Sequence, residues 1–174
     1  TVRRLQRGQL RGVVDDVTPE RGGENFFGAK VLGGRDALLA YGSKSGIAIA
    51  IAFGNNTARL RIWQEMSDRG FCFPALIDPA ACVADDVTIG AGSYMAAGSI
   101  VQPGASLGAQ VIVNTGAIIE HDCLVGDGVH VCPRACLCGH VTVGQAAWIG
   151  AGALVRDRAT IGTNAFIGIG ALVL

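Results

Sequence analysis

The sequence lacks a surplus of charge of either sign. Its 174 residues contain 14 lysines and arginines against 14 aspartates and glutamates, and its pI is 6.7. Nucleic-acid binders and anionic-membrane binders need a concentrated basic surface, so this balance argues against both kinds of partner. One basic cluster opens the chain (Arg3, Arg4, Arg7 and Arg11), and we interpret it as the solvated side of a helix end.

Residues 88–119 carry no charged side chain at all. A membrane span would need about 18 consecutive apolar residues, whereas glycines, Gln102, Pro103 and Gln110 interrupt this stretch. We therefore expect a protein core and no membrane partner. Residues 1–12 also lack the apolar segment of a cleavable signal peptide.

The six cysteines show neither the spacing of a disulfide scaffold nor paired CxxC motifs. The run Cys136, Cys138, His140 is similar to a metal-binding run, but the repeat described below sends Cys132 and Cys138 to different sides of the fold. Cys123 is expected in the core. We predict no metal site and a reducing, cytoplasmic setting.

A strict six-residue repeat runs from Val83 to the end of the chain, and the first residue of every block is aliphatic. These residues are Val83, Ile89, Met95, Val101, Leu107, Val113, Ile119, Val125, Val131, Leu137, Val143, Ile149, Val155, Ile161, Ile167 and Val173. The fifth residue of every block is small or β-branched. A helix would scatter the aliphatic row, because six residues advance about 600°. Short strands that turn a corner every six residues keep it in register, so we predict a parallel β-solenoid in which residues eighteen apart stack about 4.8 Å apart.

Residues 1–76 alternate predicted strands and helices, as a small parallel α/β unit does. The predicted order is a helix end at 1–7, a strand at 10–14, a loop at 18–28, a helix at 35–41, a strand at 47–53, a helix and a strand at 73–77. The second helix has Leu60, Trp63 and Met66 at helical spacing, with Asn55 or Asn56 as its cap and Gly70 as its end. The domain boundary is expected at 76/77.

Ligands of such a unit bind at the carboxyl ends of the strands, where Asp15, Asp16 and Gly54 fall. The alternative is that the two aspartates form an ordinary polar turn. No strand precedes the first helix, and the last hexapeptide stops after two residues, so we expect the chain to be incomplete at both ends. Because the phosphate-binding glycines are not present, no nicotinamide role follows.

The block containing Glu120, His121 and Asp122 interrupts an otherwise apolar repeat, with Asn114 before it and His130 after it. An imidazole beside a carboxylate is held in one tautomer and made more basic, which a general base near neutral pH requires. A surface histidine with a chance acidic neighbour is the alternative. One coil further on, Asp122 should stack near His140 and His121 near Gly139.

The hexapeptide row resembles the left-handed parallel β-helix acyltransferases. The motifs VVDD, AFGNN before a helix, and VNTGAIIEHDCLVGDGVHVCPRACLCGHVTVG resemble one branch of them. That branch comprises the sialic acid O-acetyltransferases and the nucleotide-4-amino-sugar N-acetyltransferases, enzymes of polysaccharide biosynthesis. The resemblance implies a left-handed β-helix after an incomplete Rossmann-like α/β domain, and transfer of acetyl from acetyl-CoA to an amino group of a nucleotide sugar.

The resemblance also implies roles for individual residues. His121 would be the general base and Asp122 its partner, although many relatives have the longer Glu there. His130, the Gly139 amide, Ala151 and Ile169 would contact acetyl-CoA, with Gly139 at the oxyanion. Asp15, Asp16, Gly54 and Asn114 would lie at the acceptor sugar nucleotide.

The family is trimeric, with acetyl-CoA held between two prisms, and a flat repeating face suits cyclic self-association. Three alternatives stay open: O-acetylation of a sialic acid or related hydroxyl, a zinc enzyme of the γ-carbonic-anhydrase kind, and a non-catalytic β-helix subunit. The zinc enzymes carry a His-x4-His pair, whereas the histidines here lie nine and ten residues apart.

Overall fold

The computed structural model describes residues 10–41 and 47–174. The predicted helix end at 1–7, with Arg3, Arg4 and Arg7, lies outside the described residues. No helix in the two described ranges is both long enough and apolar enough to cross a bilayer.

From Leu76 onward the chain winds into a three-sided parallel β-helix of two-residue strands. The first face stacks β4 (Leu76–Ile77), β7 (Tyr94–Met95), β10 (Ile112–Val113), β13 (His130–Val131), β16 (Trp148–Ile149) and β19 (Phe166–Ile167). The second stacks β5 (Cys82–Val83), β8 (Ile100–Val101), β11 (Ile118–Ile119), β14 (Cys136–Leu137), β17 (Leu154–Val155) and β20 (Leu172–Val173). The third stacks β6 (Thr88–Ile89), β9 (Ser106–Leu107), β12 (Leu124–Val125), β15 (Thr142–Val143) and β18 (Thr160–Ile161).

Every strand pairs with the strand eighteen residues away, as in Ile112 with His130 and His130 with Trp148. The predicted repeat is therefore confirmed. We call the turns between the first and second faces the first corner (114–117, 132–135, 150–153, 168–171). The turns between the second and third faces are the second corner (120–123, 138–141), and those between the third and first faces are the third corner (126–129, 144–147).

The core is made by the two repeat positions that the sequence singled out. The aliphatic first residues point inward and are almost fully buried in the middle coils, as are the small fifth residues, including Cys123 at 0% exposure. Ser99 takes one of these inward positions and stays satisfied, because its hydroxyl donates to the Ala96 carbonyl at 2.7 Å. The regular spacing of small side chains lets three strands close on a narrow centre.

The N-terminal part is less regular than predicted. It contains β1 (Val13–Val14), a 3-10 turn (Pro19–Arg21), β2 (Asn25–Phe26), β3 (Ala29–Gly33), α1 (Arg35–Tyr41) and α2 (Asn56–Asp68). Strand β3 pairs in parallel with β1 and antiparallel with β2, so the sheet is mixed. The helix at 35–41 is confirmed, and so is the second helix, whose first turn is capped by Asn55 through the Ala58 amide.

Several predictions for this part were wrong. The strand at 10–14 reduces to Val13–Val14, and the loop at 18–28 contains β2. The strand at 47–53 is an extended run with one parallel bridge, Ala48 to Cys72. The strand at 73–77 divides, because Leu76–Ile77 pairs with β7 as the first rung of the β-helix. The sequence of a short apolar run does not indicate which other strand it will pair with.

Candidate active site

The second corner brings His121 and Asp122 into direct contact. The His121 Nδ1 lies 2.8 Å from the Asp122 Oδ2, and both side chains are about half exposed (53% and 51%). The hydrogen bond from His121 holds the pKa of the Asp122 carboxyl below its ordinary value. Because the ionised carboxylate can only accept, Nδ1 carries the proton that it donates. The Nε2 of the neutral ring is then left with an available lone pair.

Gly139 lies directly beneath this ring, as the eighteen-residue stacking predicted. A Cβ built on Gly139 would stand 2.6 Å from the His121 Nε2 and 2.7 Å from the His121 Cε1. A side chain there would displace the ring, so glycine at this position leaves His121 in place. Among the described residues no hydrogen bond takes up the Gly139 N–H.

His140 completes the corner from the next coil. Its Nε2 lies 3.7 Å from the same Asp122 oxygen, and its ring meets that of His121 edge to face with centroids 5.2 Å apart. The repeat predicted that His140 stacks on Asp122, but the sequence analysis gave His140 no functional role.

A second group of predicted residues lies on the first face. The Nε2 of His130, on β13, is 3.0 Å from the Asn114 amide nitrogen at the first corner. The ring also lies against Gly54, whose Cβ position would be 4.0 Å from the His130 Nδ1. Burial, and secondarily the charge of Arg59, lower the pKa of His130 to about 4. A neutral ring that accepts at Nε2 carries its proton on Nδ1, and this buried nitrogen has no partner among the described residues.

Arg59 is a residue that sequence reasoning missed. It is 1% exposed, and its guanidinium donates to the Gln110 carbonyl at 3.0 Å and the Gly128 carbonyl at 2.6 Å. It also donates to the Phe53 carbonyl at 3.3 Å, which fixes the turn holding Gly54. Burial lowers the pKa of Arg59 to about 10, so the group stays cationic at neutral pH. The available signal was an arginine on the helix face that also carries Ile62, Trp63 and Met66.

Asp15 and Asp16 make contacts with other residues of the N-terminal part. Asp15 accepts from the Thr18 hydroxyl at 2.7 Å and the Thr18 amide at 3.0 Å, contacts that lower its pKa. Asp16 pairs with Arg35 at 2.6 Å, and Arg35 also reaches Glu65 on α2 at 2.7 Å. No hydrogen bond or ion pair in the described part of the chain joins either aspartate to Gly54 or His130. Their place beside Gly54 at the acceptor sugar nucleotide stays a prediction.

Ala151 and Ile169 stack one coil apart at the first corner, where the Gly170 amide donates to the Ala151 carbonyl at 2.9 Å and Ile169 is 77% exposed. They lie on the side of the prism that carries Asn114 and His130, while His121 lies at the second corner. A six-residue side measures roughly 15–20 Å at about 3.3 Å per residue. One chain therefore presents its predicted site residues as two separate groups.

Among the described residues, Cys136, Cys138 and His140 do not form a cluster with metal-ligand spacing. Cys132 is buried, Cys136 and Cys138 are half-buried, and burial raises the pKa of Cys132 and Cys136 to about 11. Protonated thiols are poor metal ligands. In the part of the chain that the structure describes, the one cluster with metal-ligand spacing is His121, Asp122 and His140.

No protein-family model matches the sequence, and no curated protein matches it. Solved structures do. The acetyltransferase domain of PglB from Neisseria gonorrhoeae FA1090 is 36% identical over 99% of this chain and 82% of that chain, with a TM-score of 0.89. The chain belongs to the hexapeptide-repeat acetyltransferase family. The left-handed parallel β-helix that the family resemblance implied is thereby confirmed.

Two further structures of this family have ligands. The same Neisseria domain in complex with acetyl coenzyme A is 35% identical over 99% of this chain and 83% of that chain, with a TM-score of 0.89. GDP-perosamine N-acetyltransferase from Caulobacter crescentus, in complex with CoA and GDP-perosamine, is 32% identical over 94% of this chain and 76% of that chain, with a TM-score of 0.85. This acetyltransferase is therefore neither a γ-carbonic-anhydrase-like zinc enzyme nor a non-catalytic β-helix subunit.

Proposed function

We propose that this acetyltransferase transfers the acetyl group of acetyl-CoA to an amino group of a nucleotide-linked sugar, with His121 as general base. The observation that carries the proposal is the 2.8 Å contact between the His121 Nδ1 and the Asp122 carboxylate, which leaves Nε2 as an open acceptor at an exposed corner. The ligands of the Neisseria and Caulobacter structures support the donor and the class of acceptor.

The contacts support a complete acyl-transfer sequence. The acceptor nitrogen attacks the thioester carbonyl, a C–N bond forms, and His121 Nε2 takes the proton that the nitrogen releases. The carbonyl oxygen becomes an oxyanion that the Gly139 N–H stabilises. Collapse of this intermediate breaks the C–S bond, and the protonated His121 returns its proton to the CoA sulfur. Asp122 stabilises the imidazolium between the two steps.

The ring of His130 is suited to binding and unsuited to this base role. With a pKa of about 4 it is a weak base, and its Nδ1–H is a buried donor in need of an acceptor. We place His130 beside the acetyl group of acetyl-CoA, with Asn114 orienting its ring through Nε2. Ala151 and Ile169, further along the same side of the prism, would lie along the pantetheine arm.

The separation of the two groups supports a homotrimer. His121 of one copy would meet His130 and Asn114 of the next, so that each acetyl-CoA lies between two prisms. Cyclic symmetry then makes three equal sites from one kind of contact. Gly54 beside His130 would contact the nucleotide sugar. Asp15 and Asp16 keep their proposed place at the nucleotide, where their contacts with Thr18 and Arg35 would order the loop.

A nucleotide-linked acceptor and six free cysteines fit a cytoplasmic enzyme of polysaccharide biosynthesis. The test is acetyl transfer to 4-amino and 3-amino nucleotide sugars, each paired with the same sugar bearing a hydroxyl at that carbon, and to sialic acid. We expect acetylation of an amino sugar, its loss in His121→Ala, and a smaller loss in Asp122→Asn. Acetylation of a hydroxyl compound with no transfer to any amine would establish O-acetylation instead.

A further inference from the structure

The second corner holds three metal-ligating side chains, and acetyl transfer as proposed uses only two of them. One potential ligand atom from each of His121, Asp122 and His140 lies within 4.8 Å of the other two. We propose that this triad binds a divalent transition-metal ion of the Zn²⁺ class, and that the bound ion reversibly inhibits the enzyme. The inhibition rests on the proposed base role of His121, whereas the binding does not.

The distances fit one ion. Nitrogen and oxygen ligands stand about 2.1 Å from Zn²⁺, so two ligand atoms of one ion are at most about 4.2 Å apart. The separations from the Asp122 oxygen to His121 (2.8 Å) and to His140 (3.7 Å) are already below this limit. A small rotation of an exposed imidazole closes the third side, and water fills the remaining positions.

The backbone fixes the arrangement. Asp122 and His140 occupy equivalent turn positions in consecutive coils, with φ of 58° and 59°. The His140 amide donates to the His121 carbonyl at 3.0 Å, which ties the two coils together at this point. The ligands are therefore carried on a rigid stack, and little ordering is required when the ion binds.

The chemistry of the donors selects the ion. Two imidazoles and one carboxylate suit Zn²⁺, Co²⁺ or Ni²⁺, while Mg²⁺ and Ca²⁺ prefer sites made of oxygen alone. Asp122 supplies negative charge, and Glu120 precedes the cluster. Arg158, one coil beyond His140, lies 3.7 Å from the Asp157 carboxylate, which offsets its charge.

Inhibition follows from the tautomer. An ion on the His121 Nδ1 displaces the proton from that nitrogen, and a neutral ring then carries its proton on Nε2. A protonated Nε2 cannot accept a proton from the acceptor amine. The ion should therefore lower kcat and leave the KM for acetyl-CoA little changed.

The test is a Co²⁺ titration of the full chain with its thiols kept reduced by a phosphine, followed by absorption spectroscopy, calorimetry and an acetyl-transfer assay, with Mg²⁺ as a control ion. Three proteins are compared: wild type, His140→Asn, and Cys72→Ser/Cys82→Ser, which removes the two exposed thiols. Asparagine is chosen because it tolerates the positive φ of position 140.

We expect a Co²⁺ spectrum without a sulfur-to-metal charge-transfer band, an affinity about tenfold or more weaker in His140→Asn, and no change in the cysteine variant. Equal binding by wild type and His140→Asn, loss of binding in the cysteine variant, or no binding at all would overturn the site. Binding that requires His140 but leaves acetyl transfer unaffected would support the site and contradict His121 as the base.

Discussion

At the scale of single residues, the three histidines differ because their surroundings differ. His121 is half exposed and hydrogen-bonded to a carboxylate, whereas His130 is packed beside a buried arginine and an asparagine. The first arrangement suits a group that takes and returns a proton, and the second suits a fixed donor. A histidine count from the sequence could not separate these roles, because the burial of His130 depends on α2.

Gly139→Ala should nearly abolish acetyl transfer without unfolding the protein. The new Cβ would stand 2.6 Å from the His121 Nε2 and push the ring away from its position above the Gly139 amide. We expect kcat to fall about 100-fold, which is typical for the loss of one oxyanion contact or a misplaced base.

Gly162→Ala is the matched control for this prediction. Gly162 lies in a turn of the same β-helix, and nothing is within 4 Å of its Cβ position. The Gly162→Ala variant should have the same acetyl-transfer activity as the wild type. Equal losses in the two variants would contradict the specific role of Gly139.

His130 should make the fold acid-sensitive over a defined pH range. Its pKa is lowered from 6.5 to about 4 in the folded state, so the unfolded chain takes up a proton first as the pH falls. Stability is therefore lost between about pH 6.5 and 4, by about 3 kcal/mol for this group. Urea unfolding of wild type and His130→Asn at pH 7.5 and 4.5 measures the effect. The variant should lose less stability across the range, and parallel losses would contradict the shift.

At the scale of elements, α2 is fastened to the β-helix through polar contacts at the third corner. Asn56 donates a hydrogen bond to the Ala147 carbonyl at 2.9 Å. Arg59 donates to the carbonyls of Gln110 and Gly128, which lie on two successive coils. The helix thus fixes the turn containing Gly54 against His130.

Arg59→Ala should destabilise the protein by about 3 kcal/mol, because it leaves two buried carbonyls without a donor and opens a cavity. Arg61→Ala, at an exposed position of the same helix, is the control and should change stability by less than about 0.5 kcal/mol. Chemical denaturation measures both. A difference of less than about 1 kcal/mol between the two variants would contradict the role of Arg59 in holding α2 against the β-helix.

The β-helix was predictable because each six-residue block specifies its own inward residues, and the phase never breaks. The N-terminal strands were not predictable, because a strand of two residues exists only where another strand pairs with it. Residues 47–53 alternate isoleucine and alanine as a strand would, yet they form only the Ala48–Cys72 bridge. Likewise, the eighteen-residue repeat alone predicts that His140 stacks on Asp122 and Gly139 on His121. The position of Arg59 could not be predicted, because it depends on how α2 packs against the β-helix.

At the scale of the whole molecule, the predicted site residues lie on two different parts of the prism. His121, Asp122 and Gly139 share the second corner, and His130 with Asn114 lies across the second face from them. Within a single chain, the residues of this sequence motif therefore form two groups. The proposal therefore depends on a neighbouring copy that brings the two groups together.

Subunit mixing tests this claim most directly. His121→Ala and His130→Ala are co-expressed with different tags, and doubly tagged assemblies, trimers under the proposal, are purified and assayed. In any ring containing both variants, one of the three junctions joins an intact His121 to an intact His130, so we predict about one third of the wild-type rate. Each parent variant should be nearly inactive. Mixed trimers no more active than the parents would contradict a site shared between copies.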